Sequence, residues 1–541
     1  MKNFFARNLR TLALCASVFV LAFIVRAWTN TWLTDFWGDS YHHWLITRLT
    51  MLHGGVYSDY KGLEVVWSPL YHYVSMLPML LSGSSDIRVL HWMNTVFGAL
   101  ACALSAYLAW RLYANRVAAF AAGAVLATMT WHIAFSGMNV TEVFSGVLVL
   151  GVVLVVIREP SFVIRHSSFA ALFLLSTAMP LTRTDLSLYL AILVVWLGIQ
   201  KRYAEAFVIV CGVVIALGGW SAWSFYKTGN VLHWFQQYAR NNLHDWVLLN
   251  EQTPNAAFAF AEYLNRLSPL ALPALWGGVM SALWIPRVET SRLARNDKEE
   301  VWNDNLTRRK NLWLVTALLA GHSLFLIVGY ARGIVPILTE RYLAIDLPLV
   351  AVLVSGWVVV VGSLGSARDK DWVIRELGDW ATLLKIRNPQ FAHFFVAFVL
   401  IATTFLRFQN EIPELEIRRW GIDAEWQAGK FLHVNVQSGE MVLSDAPVAI
   451  YRSGKDVRQF VSSVALEKVG DAQTALKTKN VRWIVTQPVS YDAASNFVPR
   501  ELYQAQRSGV VDGLRFELVW KYDPEKTDIQ SAVWHVIQNS R

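Results

Sequence analysis

The chain has 541 residues, of which 55% are hydrophobic and only 16% charged, with 48 Lys and Arg against 40 Asp and Glu. Soluble domains carry about 25% charged residues, so this composition excludes an ordinary cytosolic enzyme and a disordered chain. Aromatic residues, 13% of the chain, collect at membrane interfaces, and the net charge of +8 is accounted for by loops on one side of a membrane rather than by nucleic acid.

A helix crosses a bilayer with about 20 apolar residues. The first candidate runs from Thr11 to Trp28, behind Lys2, Arg7 and Arg10. No small-x-small cleavage site follows it, so it is expected to be an anchor with a cytoplasmic N-terminus. A polar and aromatic stretch, 29–86, comes next. Within it Pro69 to Ser82 is apolar but short for a span, which predicts a re-entrant or interfacial helix. Ten further spans are expected at about 87–110, 117–135, 143–157, 168–182, 186–199, 206–224, 268–285, 312–330, 342–362 and 391–407, eleven in all.

Basic connections follow every second span: Arg111 to Arg116, Arg158 to Arg165, Lys201-Arg202, Arg287 to Lys310 and Arg368 to Arg387. Positive loops stay inside, which puts 29–86, 136–142, 183–185, 225–267, 331–341 and everything after about 408 outside. Counting Pro69 to Ser82 as a crossing would turn every later basic loop outward. After residue 408, β-like runs such as Met441-Val-Leu-Ser and Val481-Arg-Trp-Ile-Val-Thr alternate with helical stretches such as Val464 to Lys477. The expected organisation is a membrane domain over 1–407, with an extracytoplasmic α/β domain over 408–541. Cys15, Cys102 and Cys211 each sit in an apolar run without a CxxC partner, so neither disulfides nor a zinc site are expected.

The unusual acidic residues fall on the external side of this topology. The first loop holds Asp35, Asp39 and Glu64, the second Glu142, the third Arg183-Thr-Asp185, and the fifth Glu340-Arg341-Tyr342. A charge at mid-bilayer costs about 2.5–3.5 kcal/mol on insertion scales, so charged residues at span rims mark helix ends or a site. Carboxylates and arginines converging at a water–lipid boundary suit a substrate with a phosphate head and a lipid tail. Arginine binds phosphate bidentately, a carboxylate takes the proton of an attacking hydroxyl, and a fixed cation stabilises a leaving phosphate. No GxGxxG or Walker loop offers a nucleotide site.

The motif chain runs Gly38-Asp39-Ser-Tyr-His-His43-Trp, Leu52-His-Gly-Gly-Val-Tyr57-Ser-Asp59 and Trp67-Ser-Pro-Leu-Tyr71-His-Tyr, then Glu142, Arg183–Asp185, Arg341-Tyr342, and Val442 to Gly454 in the terminal domain. In order and sidedness it resembles the GT-C superfamily of integral-membrane glycosyltransferases, nearest the branch with protein O-mannosyltransferases and the lipid A aminoarabinose transferase. The resemblance implies a polyprenyl-phosphate-linked sugar donor. It makes Asp39 the candidate base, with Asp35 as rival, and gives Glu142 the task of orienting acceptor or donor. Arg341 becomes the first candidate for the donor phosphate, followed by Arg183 and Lys61. Glu64 matches the acid of the first-loop re-entrant segment, and His42, His43, His72, Tyr71, Asp185 and Tyr342 complete the substrate-binding set.

Two departures from the family pattern matter. Asn139-Val-Thr-Glu142 holds one acid where oligosaccharyltransferases have an acid-x-acid metal motif, which argues against en bloc oligosaccharide transfer and an obligatory divalent metal. Glu64 is followed by Val-Val-Trp-Ser-Pro69 rather than by the Lys of the aminoarabinose branch, which argues against lipid A modification. A transporter or flippase is the alternative reading, but no inverted repeat is visible; a non-catalytic scaffold of the same fold is another. Glycan, lipid and protein acceptors are all open, and the stretch from Tyr226 to Asp245 is a candidate acceptor groove.

Overall fold

The computed structural model describes residues 2–33, 35, 38–60, 67–157, 165–236, 257–261, 270–289, 297–332, 340–364, 389–418, 420–486, 494, 497–505, 507–511, 513–522 and 531–538. The chain is a polytopic helical membrane protein with a C-terminal sheet domain. Its first part contains α1 (Lys2–Thr29), α2 (Gly38–Leu52), α3 (Leu70–Ser82), α4 (Arg88–Tyr113), α5 (Arg116–Thr128), α6 (Thr130–Ser136), α7 (Glu142–Val156), α8 (Arg165–Thr182), α9 (Ser187–Ile199) and α10 (Tyr203–Thr228). Then come α11 (Ala271–Glu289), α12 (Asp297–Ala331), α13 (Glu340–Ala344), α14 (Leu347–Val354), α15 (Gly356–Leu364) and α16 (Pro389–Arg418).

Among the described residues, five helices are long and apolar enough to cross a bilayer: Leu9–Thr29, Arg88–Tyr113, Tyr203–Thr228, Asn305–Ala331 and Gln390–Pro413. The α5–α6 pair, bent by 65°, makes a sixth if it is one broken span. The other expected spans coincide with apolar helices of 10–17 residues, such as Glu142–Val156 and Leu347–Val361. The segment Pro69 to Ser82 holds the 13-residue α3, with Pro69 as its N-cap, closed by Gly83 at φ 63.

The sequence of α7, EVFSGVLVLGVVLVV, reads as a strand by propensity alone. It is helical because lipid offers the backbone no partners, so each peptide group must pair within its own segment. Small residues bring the helices close. A Cβ at Gly98 would run into Ser136 Oγ and the Arg26 guanidinium, and one at Gly123 into Val18; such contacts are how helices associate when burial of apolar surface drives nothing.

The C-terminal part begins with α17 (Trp420–Asn435) and holds β1 (Met441–Ser444), α18 (Pro447–Ser453), β2 (Phe460–Val461), α19 (Ser463–Glu467), α20 (Ala472–Thr478), β3 (Val481–Thr486), α21 (Arg500–Ala505), β4 (Gly509–Val511), β5 (Leu514–Tyr522) and β6 (Ser531–Gln538). The strand order is β2-β1-β3-β6-β5-β4, parallel across β2-β1-β3 and antiparallel beyond. Side chains alternate across the sheet. Leu443, Ile484 and Trp534 face α20 and α21, whereas Val442, Val485 and Val533 share a core with α17, α18 and the α2 residues Tyr41, Trp44 and Leu45. Tyr60 Oη donates to Ser444 O at 2.8 Å, a further tie between the first loop and β1. The sheet domain is therefore packed onto the helix that carries Asp39.

Candidate active site

Breaks in the helical bundle supply the site. Asp39 lies in the first turn of α2, Glu142 opens α7, and Arg341 is the second residue of α13. Arg183 is an extended residue between α8 and the 3-10 turn Thr184–Leu186. Carboxylates at helix N-termini meet the positive end of the helix dipole. The α5–α6 bend frees backbone carbonyls in a segment where lipid cannot satisfy them. Buried Arg26 of α1 supplies donors there, reaching Leu126 O at 3.4 Å and Ser136 Oγ at 3.0 Å, with His132 Nδ1 at 2.6 Å.

At the site itself, Arg341 joins two carboxylates. Its Nη1 donates to Asp39 Oδ2 and its Nε to Glu142 Oε1 at 2.6 Å. Arg183 donates through Nη1 to the same Glu142 oxygen at 2.7 Å and forks onto Asp185 through Nε and Nη2 at 3.1 and 2.8 Å. Three carboxylates and two guanidinium groups thus form one chain of ion pairs. Arg341 lies over the Trp67 ring at 5.7 Å and Arg183 over the Tyr342 ring at 5.4 Å, contacts that orient both cations without neutralising them. Glu142 is fully buried, and its Oε2 has no partner among the described residues. The Asp39 side chain is 28% exposed, which makes it the member of the Glu142–Arg341–Asp39 chain most open to a substrate.

The histidines form a layer beside this chain. His43 Nδ1 and His72 Nε2 are 2.9 Å apart, and His43 sets its edge on Trp67 at 4.6 Å. His42 Nε2 faces Asp59 Oδ1 at 3.4 Å. Tyr71 is buried, donating to Asn139 Oδ1 and accepting from Asn94 Nδ2, both at 2.9 Å. Asn139 also binds Ser40 through both of its nitrogens at 2.9 Å. It therefore anchors the segment that ends in Glu142 to α2 and α3.

Asp35 is not brought into the ion-pair chain. Its Oδ2 accepts from Ser40 Oγ at 2.9 Å and pairs with His91 Nε2 at 2.7 Å, beside a cavity of about 590 Å³ between the first loop and α17. Lys61 and Glu64 lie outside the described residues, as do 237–245 of the candidate acceptor groove. Sequence reasoning quoted Trp67 in a motif without giving it a role, and overlooked a buried group in which Asp346 accepts from Tyr189 Oη and pairs with His322 Nδ1 at 2.8 Å. The signal was available, since an ionisable residue inside an apolar span is a functional candidate by default; His322 and Asp346 sit in two such spans.

Burial pushes the His43 and His72 imidazoles down from their usual value, His72 to about 3. A lowered folded pKa means that the unfolded chain takes up protons first as pH falls. The associated stability is therefore complete above about 6.5 and is lost as pH drops from there towards the folded value. We expect the thermal midpoint of the detergent-solubilised chain to fall between about pH 6.5 and pH 4.5, with His72→Gln showing a shallower fall. Equal slopes in a thermal scan of the two proteins would remove this histidine from the acid response.

No family model and no curated protein matches the chain. Among solved structures, it is similar to ArnT from Cupriavidus metallidurans bound to undecaprenyl phosphate, at 13% identity and TM-score 0.55, covering 96% of this chain and 97% of that one. The apo state of the same protein gives 12% identity and TM-score 0.50, with 98% of each chain covered. The Archaeoglobus fulgidus oligosaccharyltransferase tethered with an acceptor peptide aligns at 12% identity and TM-score 0.47, over 97% of this chain and 74% of that one. The likeness to ArnT runs along almost the whole length of both chains, and the two share a fold.

Proposed function

We propose that the chain is a glycosyltransferase that takes a sugar from a polyprenyl phosphate and passes it, with inversion, to an acceptor hydroxyl on the non-cytoplasmic side of the membrane. The observation that carries this reading is the junction of Asp39 and Glu142 on Arg341, where apolar helices meet the polar first loop. The likeness in fold to a protein bound to undecaprenyl phosphate supports the choice of donor. The loop charges support a cytoplasmic N-terminus, with residues 1–407 forming the membrane domain and 408–541 the external one.

In this reading the acceptor oxygen attacks the sugar C1 and the C1–O bond to phosphate breaks, leaving its electron pair on the phosphate oxygen. Asp39 accepts the acceptor's proton. The charge that develops on the departing phosphate is met by Arg341, with Arg183 behind it, so the reading requires no divalent metal. A donor phosphate competing for Arg341 frees Asp39 Oδ2 from that guanidinium, which couples donor binding to release of the base. Glu142, held by both arginines, keeps their forks aimed at one point.

The test is mass spectrometry of glycolipids and glycoproteins from a strain lacking the chain. The expected result is loss of one saccharide mass from a defined acceptor, restored by the wild-type chain. Unchanged masses in every fraction, with substrate flux in proteoliposomes, would replace the reading with transport.

A further inference from the structure

The helix that bears Asp39 has a second working face. At 3.6 residues per turn, Tyr41, Trp44 and Arg48 fall on the side of α2 opposite Asp39. A cavity of about 820 Å³ lies there, between α2, Ser84–Asp86 and the α17–α18 pair. Arg48, Lys430, Arg452, Lys455 and Arg458 line it, against Asp86 and Asp456. Both carboxylates are already engaged, Asp86 by Arg88 at 2.6 Å and Asp456 by Arg458 at 2.5 Å. Among the described residues, no carboxylate lies within ion-pair distance of Arg48, Lys430, Arg452 or Lys455.

Arg452 is held in place without being neutralised. Arg452 lies over the Trp426 ring at 4.7 Å, and Tyr451 Oη donates to Asp86 Oδ1 at 3.2 Å, tying α18 to the first loop. The 590 Å³ cavity shares Asp86, Lys430, Tyr451 and Arg452 but adds Asp35 and Asp423, so the excess of cations belongs to the larger cavity. Like charges in one cleft repel each other, and low-dielectric walls focus their field onto an incoming anion. One small anion engages one or two such groups; four cations without a carboxylate at ion-pair distance, lining one cavity of about 820 Å³, fit a ligand with several negative charges. Tyr451, half-buried and backed by Trp44, adds an aromatic ring to the same wall, as a sugar ring requires.

We propose that this cleft binds an anionic saccharide, a glycan bearing carboxylate or phosphate groups, and that it holds the acceptor for transfer. The acceptor role rests on the glycosyltransferase reading; the binding itself does not. The test uses the full chain in phosphatidylcholine nanodiscs, with fluorescent decagalacturonate as probe and anisotropy as readout. Wild type and Asp39→Asn are expected to bind it equally, and a neutral dextran of the same length much more weakly. Arg48→Gln, Lys430→Gln, Arg452→Gln and Lys455→Gln combined should weaken binding by about tenfold or more. The milder double variant Lys430→Gln with Lys455→Gln should weaken it severalfold and serves if the quadruple variant does not fold. Equal binding by wild type and the double variant, or by probe and dextran, overturns the proposal. So does displacement of the probe by phosphatidylglycerol in the nanodisc, which would assign the cleft to a lipid headgroup. Failure of the cleft leaves sugar transfer by the wild type intact, and failure of the glycosyltransferase reading leaves probe binding intact, so the two are separable.

Discussion

Asp39→Asn is expected to lower the rate of sugar transfer by about 10²–10⁴-fold, the usual contribution of a positioned general base, while the chain still elutes as a single species in detergent. The geometry argues for both halves of this result. Asn keeps the shape of the side chain and an oxygen for Arg341, and Arg341 keeps its bond to Glu142, so the ion-pair chain retains its other links. What is lost is the capacity to take a proton. Because the side chain is partly exposed, the substitution leaves no new buried charge. Donor binding should persist, so the defect belongs in kcat rather than KM. Transfer at the wild-type rate would remove Asp39 from the chemistry. Asp35, bound to His91 and Ser40, is the natural comparison, since it makes no direct bond to Arg341 and reaches the junction only through Ser40 and Asn139.

Arg341→Gln is expected to reduce transfer by about 10²–10³-fold, the range for removing one preorganised stabiliser of developing charge, and to weaken binding of the polyprenyl-phosphate donor. Arg341→Lys should be nearly as poor, because one ammonium cannot reproduce a fork that reaches Asp39 and Glu142 from two different nitrogens. Stability should suffer little, since Glu142 remains paired with Arg183. The contrasting variant is Arg183→Gln. It strands Asp185 and takes a partner from fully buried Glu142, and breaking such a pair costs about 3–5 kcal/mol. Transfer kinetics and thermal midpoints measured on both variants separate the two arginines. An Arg341 variant with normal donor KM and normal rate would end its assignment to the phosphate.

The helical candidates were legible because the hydropathy pattern is local. Twenty apolar residues in a row have one low-energy conformation in lipid whatever surrounds them, and even the Val-rich run from Val147 to Val156 obeys this against its strand propensity. The short α3 was legible for the same reason, its apolar run ending at Gly83 too early to cross. The strands β1 and β3 were visible as β-like runs, but the order of the sheet was not. Pairing of β3 with β6 joins residues about fifty positions apart, and period-2 patterning carries no information about partners.

The candidate site divides along the same line. Sequence by itself determined which residues are anomalous: a charge at the rim of an apolar helix is costly enough that Asp39, Glu142, Arg183, Asp185 and Arg341 stand out one by one. Only the tertiary structure decided which of them meet. Arg341 reaches Asp39 across 302 positions and Glu142 across 199, whereas Asp35, four residues from Asp39, turns to His91 instead. Four residues of helix or loop are enough to send two carboxylates to different neighbours, so nearness in sequence says little about a shared site. The unpaired cations of Arg48, Lys430, Arg452 and Lys455 come from three separate segments, and nothing local marks them as one surface. Costs of transfer into lipid act on each residue alone and are written in the sequence; ion pairing acts between residues and exists only once the chain has folded.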